Sequence, residues 1–203
     1  MIKNIIFDFG DIFINLDKKG FTQKLAALGI SEENEQVKFI FDQFERGLIS
    51  QEELINFAKD NFKVSSEDFT KVWNSILLDF PKKRLDFLKD VVKSKKYRLF
   101  LLSNTNHLHI NWIKQNWGTT LFSEFKSCFE KFYLSQEIHF RKPNKDIYEF
   151  VLKDSSLIAS ETLFIDDTKV NTNTAQELGI HTWNLISRKE DVTELFDKKA
   201  AIF

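Results

Sequence analysis

Five short apolar runs, separated in the later half by helical patterns, constrain this chain more than any other feature. They read as buried strands at 2–7 (IKNIIF), 97–102 (YRLFLL), about 129–134 (FEKFYL), 162–165 (TLFI) and 180–186 (IHTWNLI). A nearly continuous apolar run belongs to a strand covered on both faces. Helical periodicity fills 107–116, 144–154 and 169–178, the last closed by Gly179. Strands alternating with helices define an α/β chain with a Rossmann-like parallel sheet, and right-handed crossovers leave few topologies to choose from.

Residues 16–93 break that rhythm. They hold no convincing strand but several amphipathic segments: 34–46 (NEQVKFIFDQFER), ended by Gly47, then one opened by Ser50, and others near 66–77 and 82–93. Ser50 with Glu53 three residues on is a capping-box signature. The expected organisation is a core of 1–15 and 94–203 with a helical cap, 16–93, inserted after the first strand. Periodicity does not separate a lid over the site from an extension packed on the sheet edge.

At 203 residues and 42% hydrophobic, the chain can bury one core carrying a smaller insert. The 22 phenylalanines read as packing. A formal charge of −1 gives no electrostatic case for nucleic acid or a membrane surface. No apolar run approaches the roughly 18 residues that span a bilayer. The first strand starts too near Met1 for a signal peptide, and a lone cysteine, Cys128, fits a reducing compartment. The expectation is a soluble, cytoplasmic protein, monomer or homodimer being undecided. The apolar C-terminal KKAAIF reads as a docking segment, on the body or on a second subunit.

Ligands of open parallel sheets gather at the carboxyl ends of the strands. Asp8 follows strand one, Ser103 and Asn104 follow strand two, Arg141 and Lys142 follow strand three, and Asp166 and Asp167 follow strand four. An aspartate after a strand is commonly a turn or cap, and Ser-Asn-Thr is an ordinary helix start. Four such groups in succession, all suited to phosphate and metal, are hard to explain as caps.

This order resembles the haloacid dehalogenase superfamily of hydrolases, and "FERGLIS", "LLSNTN" and "YLSQEIHFRKP" are most similar to its bacterial alpha-D-glucose-1-phosphate phosphatase branch. The resemblance implies a core of that type with a helical cap, and Mg²⁺-dependent hydrolysis of a small phosphomonoester, such as glucose 1-phosphate. Asp8 is then the nucleophile, ionised without a partner base. Mg²⁺ is shared by Asp8, the Gly10 carbonyl, Asp167 and Asp166, with Asp167 facing it most directly. Ser103 and the Asn104 amide hold phosphate oxygens, Lys142 offsets charge, Asn171 orients the acidic loop, and His109 lines the substrate cleft.

Gly10 departs from the superfamily pattern, in which a second aspartate two residues after the nucleophile acts as general acid and base, worth roughly 10²–10⁴-fold. Three explanations compete. The leaving group is an anomeric hydroxyl that needs less help, with Asp11 or Glu45 as weaker candidate donors. Alternatively a halide leaves unprotonated in a metal-independent dehalogenase, which retention of Asp166 and Asp167 disfavours. Or the protein is non-catalytic and binds a phosphorylated ligand or a partner.

Overall fold

All five apolar runs become strands of one sheet. The protein is described from a computed structural model covering residues 1–203. The strands are β1 (Asn4–Phe7), β2 (Arg98–Ser103), β3 (Lys131–Leu134), β4 (Thr162–Asp166) and β5 (His181–Asn184), ordered β3-β2-β1-β4-β5 with every pair parallel. Five helices lie between β1 and β2: α1 (Lys18–Ala27), α2 (Glu35–Glu45), α3 (Gln51–Phe62), α4 (Ser66–Asn74) and α5 (Lys82–Ser94). Next come α6 (His107–Trp117) and α7 (Thr119–Lys126), α8 (Ser135–Ile138) and α9 (Lys145–Asp154), α10 (Lys169–Glu177), and α11 (Leu195–Lys198) after β5. No helix is long and apolar enough to cross a membrane.

Side chains alternate across the sheet. Ile5, Phe7, Leu101 and Ile165 share one core, whereas Ile6, Phe100, Leu102 and Phe164 share the opposite one. Helices α5, α6 and α7 cover the first face through Leu88, Ile113 and Phe125, and α9 and α10 cover the second through Ile147, Tyr148 and Ala175. The C-terminal segment docks on its own chain: the Phe203 ring lies 5.2 Å from Tyr97 and 4.9 Å from Phe196 between centroids.

Helices α1 to α4 enclose a separate core of Phe21, Leu25, Val37, Phe44, Leu54 and Trp73, joined from α6 by Leu108. The capping box forms as expected, with Glu53 N donating to Ser50 Oγ at 3.2 Å and Ser50 N donating to Glu53 Oε2 at 2.7 Å. Gly47, at φ 66°, ends α2 and lets the chain press on α8, since a β-carbon there would stand 2.2 Å from the Gln136 carbonyl oxygen. The insert joins the core through two paired strands of backbone: Leu16 bridges Leu77, Asp17 N donates to Ile76 O and Leu78 N donates to Asn15 O.

Periodicity assigns the 82–93 helix to the insert, but α5 packs with the sheet. Leu85, Leu88 and Val91 sit in the first-face core, and each such burial is worth ~1.5–3 kcal/mol. Helix α5 cannot move with a lid without losing several such terms. We therefore propose that the inserted unit is residues 16–79 and that α5 belongs to the core.

Candidate active site

The chain order reverses around β1, so the ends of β1 and β4 open a crevice between them. Asp8 N donates to the Ile165 carbonyl at 2.8 Å, which brings Asp8 and Asp166 out side by side. A cleft of about 280 Å³ opens here, lined by Asp8, Gly10, Ser103, Asn104, Lys142 and Asp167 among others. Thus residues from all four expected strand ends converge.

Lys142 lies at the centre and is 1% exposed. Its Nζ donates to Asp8 Oδ1 at 2.8 Å, Asp166 Oδ2 at 2.7 Å and the Leu102 carbonyl at 2.9 Å. All three ammonium protons therefore have acceptors. Burial alone would lower the Lys142 pKa, but Asp166 and Asp8 outweigh it and hold the group above its ordinary value. The Asn104 side chain fixes the lysine backbone from both sides: Nδ2 donates to Lys142 O at 2.9 Å, and Lys142 N donates to Oδ1 at 3.0 Å.

Asp8, Asp166 and Asp167 each offer a carboxylate oxygen within 4.8 Å of the others. Asp166 is fully buried and its oxygens accept from Lys142, from Asn171 Nδ2 at 3.2 and 3.0 Å, and from Thr168 N at 2.7 Å. Protein donors thus fill both Asp166 oxygens, whereas Asp8 Oδ2 has none. Burial raises Asp8 to about 7 against the pull of Lys142, and burial also raises Asp167 against the pull of Lys18. Three carboxylates stand around one buried ammonium. Their hard oxygens and compact spacing fit a divalent ion of the magnesium kind.

Gly10 stands at the cleft wall with Leu16 packed beside it: a β-carbon at position 10 would lie 2.7 Å from Leu16 Cδ1. Asp11, the nearest alternative carboxylate, is a turn residue at φ 55°. Its Oδ1 accepts from Leu16 N at 3.0 Å and its Oδ2 pairs with Lys18 Nζ at 3.1 Å. Lys18 also pairs with Asp167. Nothing in the local pattern marks Lys18, which sits in an ordinary Lys-Lys pair at the start of α1.

Ser103 lines the cleft, and its Oγ makes only a 3.4 Å contact to the Asn104 carbonyl. His109 reaches the wall with both ring nitrogens engaged: Nδ1 meets Asn106 Nδ2 at 3.1 Å, and Nε2 meets the Trp73 carbonyl at 3.1 Å. Burial lowers its pKa to about 4, so the ring is neutral, with Nε2–H donating to Trp73 and Nδ1 accepting. Trp73 Nε1 donates to Asn106 Oδ1 at 3.2 Å, completing a tie between the insert and α6. His107 is exposed.

Comparison with known proteins places this arrangement in a family. The haloacid dehalogenase-like hydrolase profile matches residues 2–179. A D-ribitol-5-phosphate phosphatase from Bacteroides thetaiotaomicron is 31% identical over 190 residues, covering 90% of this chain and 91% of that protein. A haloacid dehalogenase family enzyme from the same species, solved as a variant with magnesium and inorganic phosphate, superposes with a TM-score of 0.83 at 34% identity. That match covers 97% of this chain and 99% of the other. A haloacid dehalogenase-like hydrolase from Porphyromonas gingivalis gives a TM-score of 0.77 at 30% identity, over 90% of each chain. The profile match, the relatives and the convergent strand ends agree: the chain belongs to the haloacid dehalogenase-like hydrolases.

Proposed function

We propose that this hydrolase is a magnesium-dependent phosphatase acting on a small phosphomonoester, a sugar or polyol phosphate, through a phosphoryl group carried on Asp8. The observation that carries the reading is the Lys142 ammonium, buried between Asp8 and Asp166 beside the third carboxylate, Asp167. The magnesium and phosphate in a solved relative, and the phosphatase name of a curated one, support it.

Asp8, the Gly10 carbonyl and Asp167 would hold Mg²⁺, with Asp166 behind them, because its oxygens are already bonded to Lys142, Asn171 and Thr168. When bound, the ion would neutralise charge on the phosphoryl group and on Asp8. An Asp8 oxygen attacks phosphorus, the bond from phosphorus to the substrate alcohol breaks, and its electron pair leaves on the alcohol oxygen. That oxygen takes its proton from water, since position 10 bears no acid. The hydroxide so left attacks the same phosphorus, the bond to Asp8 breaks, and the carboxylate is restored as hydrogen phosphate departs carrying the remaining proton. Lys142 stays protonated throughout and offsets the negative charge, while the Ser103 hydroxyl and the Asn104 amide donate to phosphoryl oxygens. His109 lines the cleft wall with both ring nitrogens already engaged.

Within this class, a hexose 1-phosphate has the leaving group that least needs an acid, and a pentitol 5-phosphate is the substrate named for a relative. Phosphate release from a panel of both, with a hexose 6-phosphate, tests the reading in Mg²⁺ and in chelator, for wild type and Asp8→Asn. Chelator-sensitive release that disappears in Asp8→Asn is expected. Release indifferent to chelator and to the variant, or none from any member, overturns it.

A further inference from the structure

Glu45, the last residue of α2, and Arg141, the neighbour of Lys142, meet where the insert touches the core. Arg141 Nε donates to Glu45 Oε2 at 2.5 Å, and Nη1 donates to the Lys142 carbonyl at 3.3 Å. Asp42, one turn earlier on α2, stands 3.7 Å from Nε. The remaining Glu45 oxygen and Arg141 Nη2 have no hydrogen-bond partner in the protein. Both residues line the Asp8 cleft, and both also line a second pocket of about 360 Å³ with Glu32, Lys38, Phe41 and Asp42. They form the wall that the two spaces share.

Stability is a weak reason for such a pair. The side chains are 26% and 33% exposed, and ion pairs this open to water are worth about 0–1 kcal/mol. Their chemistry suits recognition better. A free carboxylate oxygen accepts, a free guanidinium N–H donates, and a hydroxyl does both. Glu45 also disfavours a second anionic group on the ligand, and the polar pocket beyond offers an apolar tail little to bury against.

We propose that Glu45 and Arg141 are a specificity pair that receives the hydroxyl groups of an uncharged polyol or sugar chain whose phosphate sits at Asp8. This rests on the phosphatase reading above and adds the residues that would select the alcohol. A site built to bond hydroxyls discriminates strongly against the analogue that lacks them, because its own polar groups are then left unpaired.

The test compares a pentitol 5-phosphate with n-pentyl phosphate, which has the same chain length and no hydroxyls, in wild type, Glu45→Gln and Arg141→Lys. The readout is the ratio of kcat/KM for the two substrates. That ratio is insensitive to the fraction of enzyme folded. Each variant should lower it at least about tenfold. If both substrates slow together and the ratio holds within about twofold, the pair only ties the insert to the core and the proposal is overturned. If wild type releases phosphate from neither compound nor from any sugar phosphate, the phosphatase reading fails and the specificity pair fails with it.

Discussion

Replacing Lys142 with methionine isolates the energetic role of one ammonium. Methionine keeps much of the apolar stem but leaves Asp8 and Asp166 without their shared cation, and the Leu102 carbonyl without its donor. Removing one partner from a buried ion pair costs about 3–5 kcal/mol, a large share of the about 5–15 kcal/mol that stabilises a typical domain. With a urea slope of about 2–3 kcal/mol per molar for a chain of this size, the unfolding midpoint should fall by roughly 1–2.5 M. Fluorescence of the four tryptophans would follow the transition in metal-free buffer. Two facing carboxylates with no cation take up a proton more readily than the unfolded chain does. The folded variant therefore binds the extra proton, and its deficit should shrink between neutral and mildly acidic pH. A midpoint within about 0.3 M of wild type at neutral pH would refute the claim that this ammonium holds the two carboxylates together.

Other perturbations test the surrounding groups. Asn171→Ala removes the amide that bonds both Asp166 oxygens. It should cost about 1.5–3 kcal/mol in urea unfolding and lower kcat more than it raises KM; an unchanged midpoint would count against the role. His109 titrates near 4 in the fold rather than at its ordinary 6.5, so between those values the unfolded chain binds more protons and stability drops as pH falls. His109→Gln lacks this term, and its stability gap to wild type should narrow by up to about 3 kcal/mol from pH 7 to pH 4; parallel pH curves would contradict it. Gly10→Asp combined with Leu16→Ala makes room for the missing acid beside Asp8. Turnover of alkyl phosphates should rise by about tenfold or more, with a smaller gain for p-nitrophenyl phosphate, whose leaving group needs no proton. Equal gains, or none, would mean that protonation of the leaving oxygen does not limit the native enzyme.

The parts legible in the sequence are those with a local physical signature. The strand runs show because a doubly covered strand has to be apolar throughout, and their polar ends show because parallel sheets present ligands there. Asp8, Ser103, Asn104, Lys142, Asp166 and Asp167 stand out that way; five of them line one cleft, and Asp166 lies fully buried behind it, paired with Lys142. Helix α1 buries only Phe21 and Leu25, so its stripe is too thin for periodicity, although Asp17 caps it by accepting from Gly20 N at 3.0 Å. Helix α5 is legible as a helix, but its sequence places it in the insert, because an apolar stripe does not say which surface it will cover. Lys18 reaches Asp167 across 149 residues, and Trp73 reaches Asn106 across 33. Contacts of that kind arise only when the insert folds back on the core, so no sequence window contains them. Leu16, which fills the space beside Gly10, has no signal beyond being one more leucine.

A phosphoryl group carried on Asp8 can be caught by covalent trapping. Wild type is mixed with Mg²⁺ and a sugar or polyol phosphate, quenched in acid during the first turnover and digested, and the peptide holding Asp8 is weighed. A phosphorylated peptide with the label on Asp8 is expected, absent in chelator and absent in Asp8→Asn. Magnesium-dependent phosphate release in which no acid-quenched time point shows phosphate on Asp8, and in which Asp8→Asn still turns over, would contradict it.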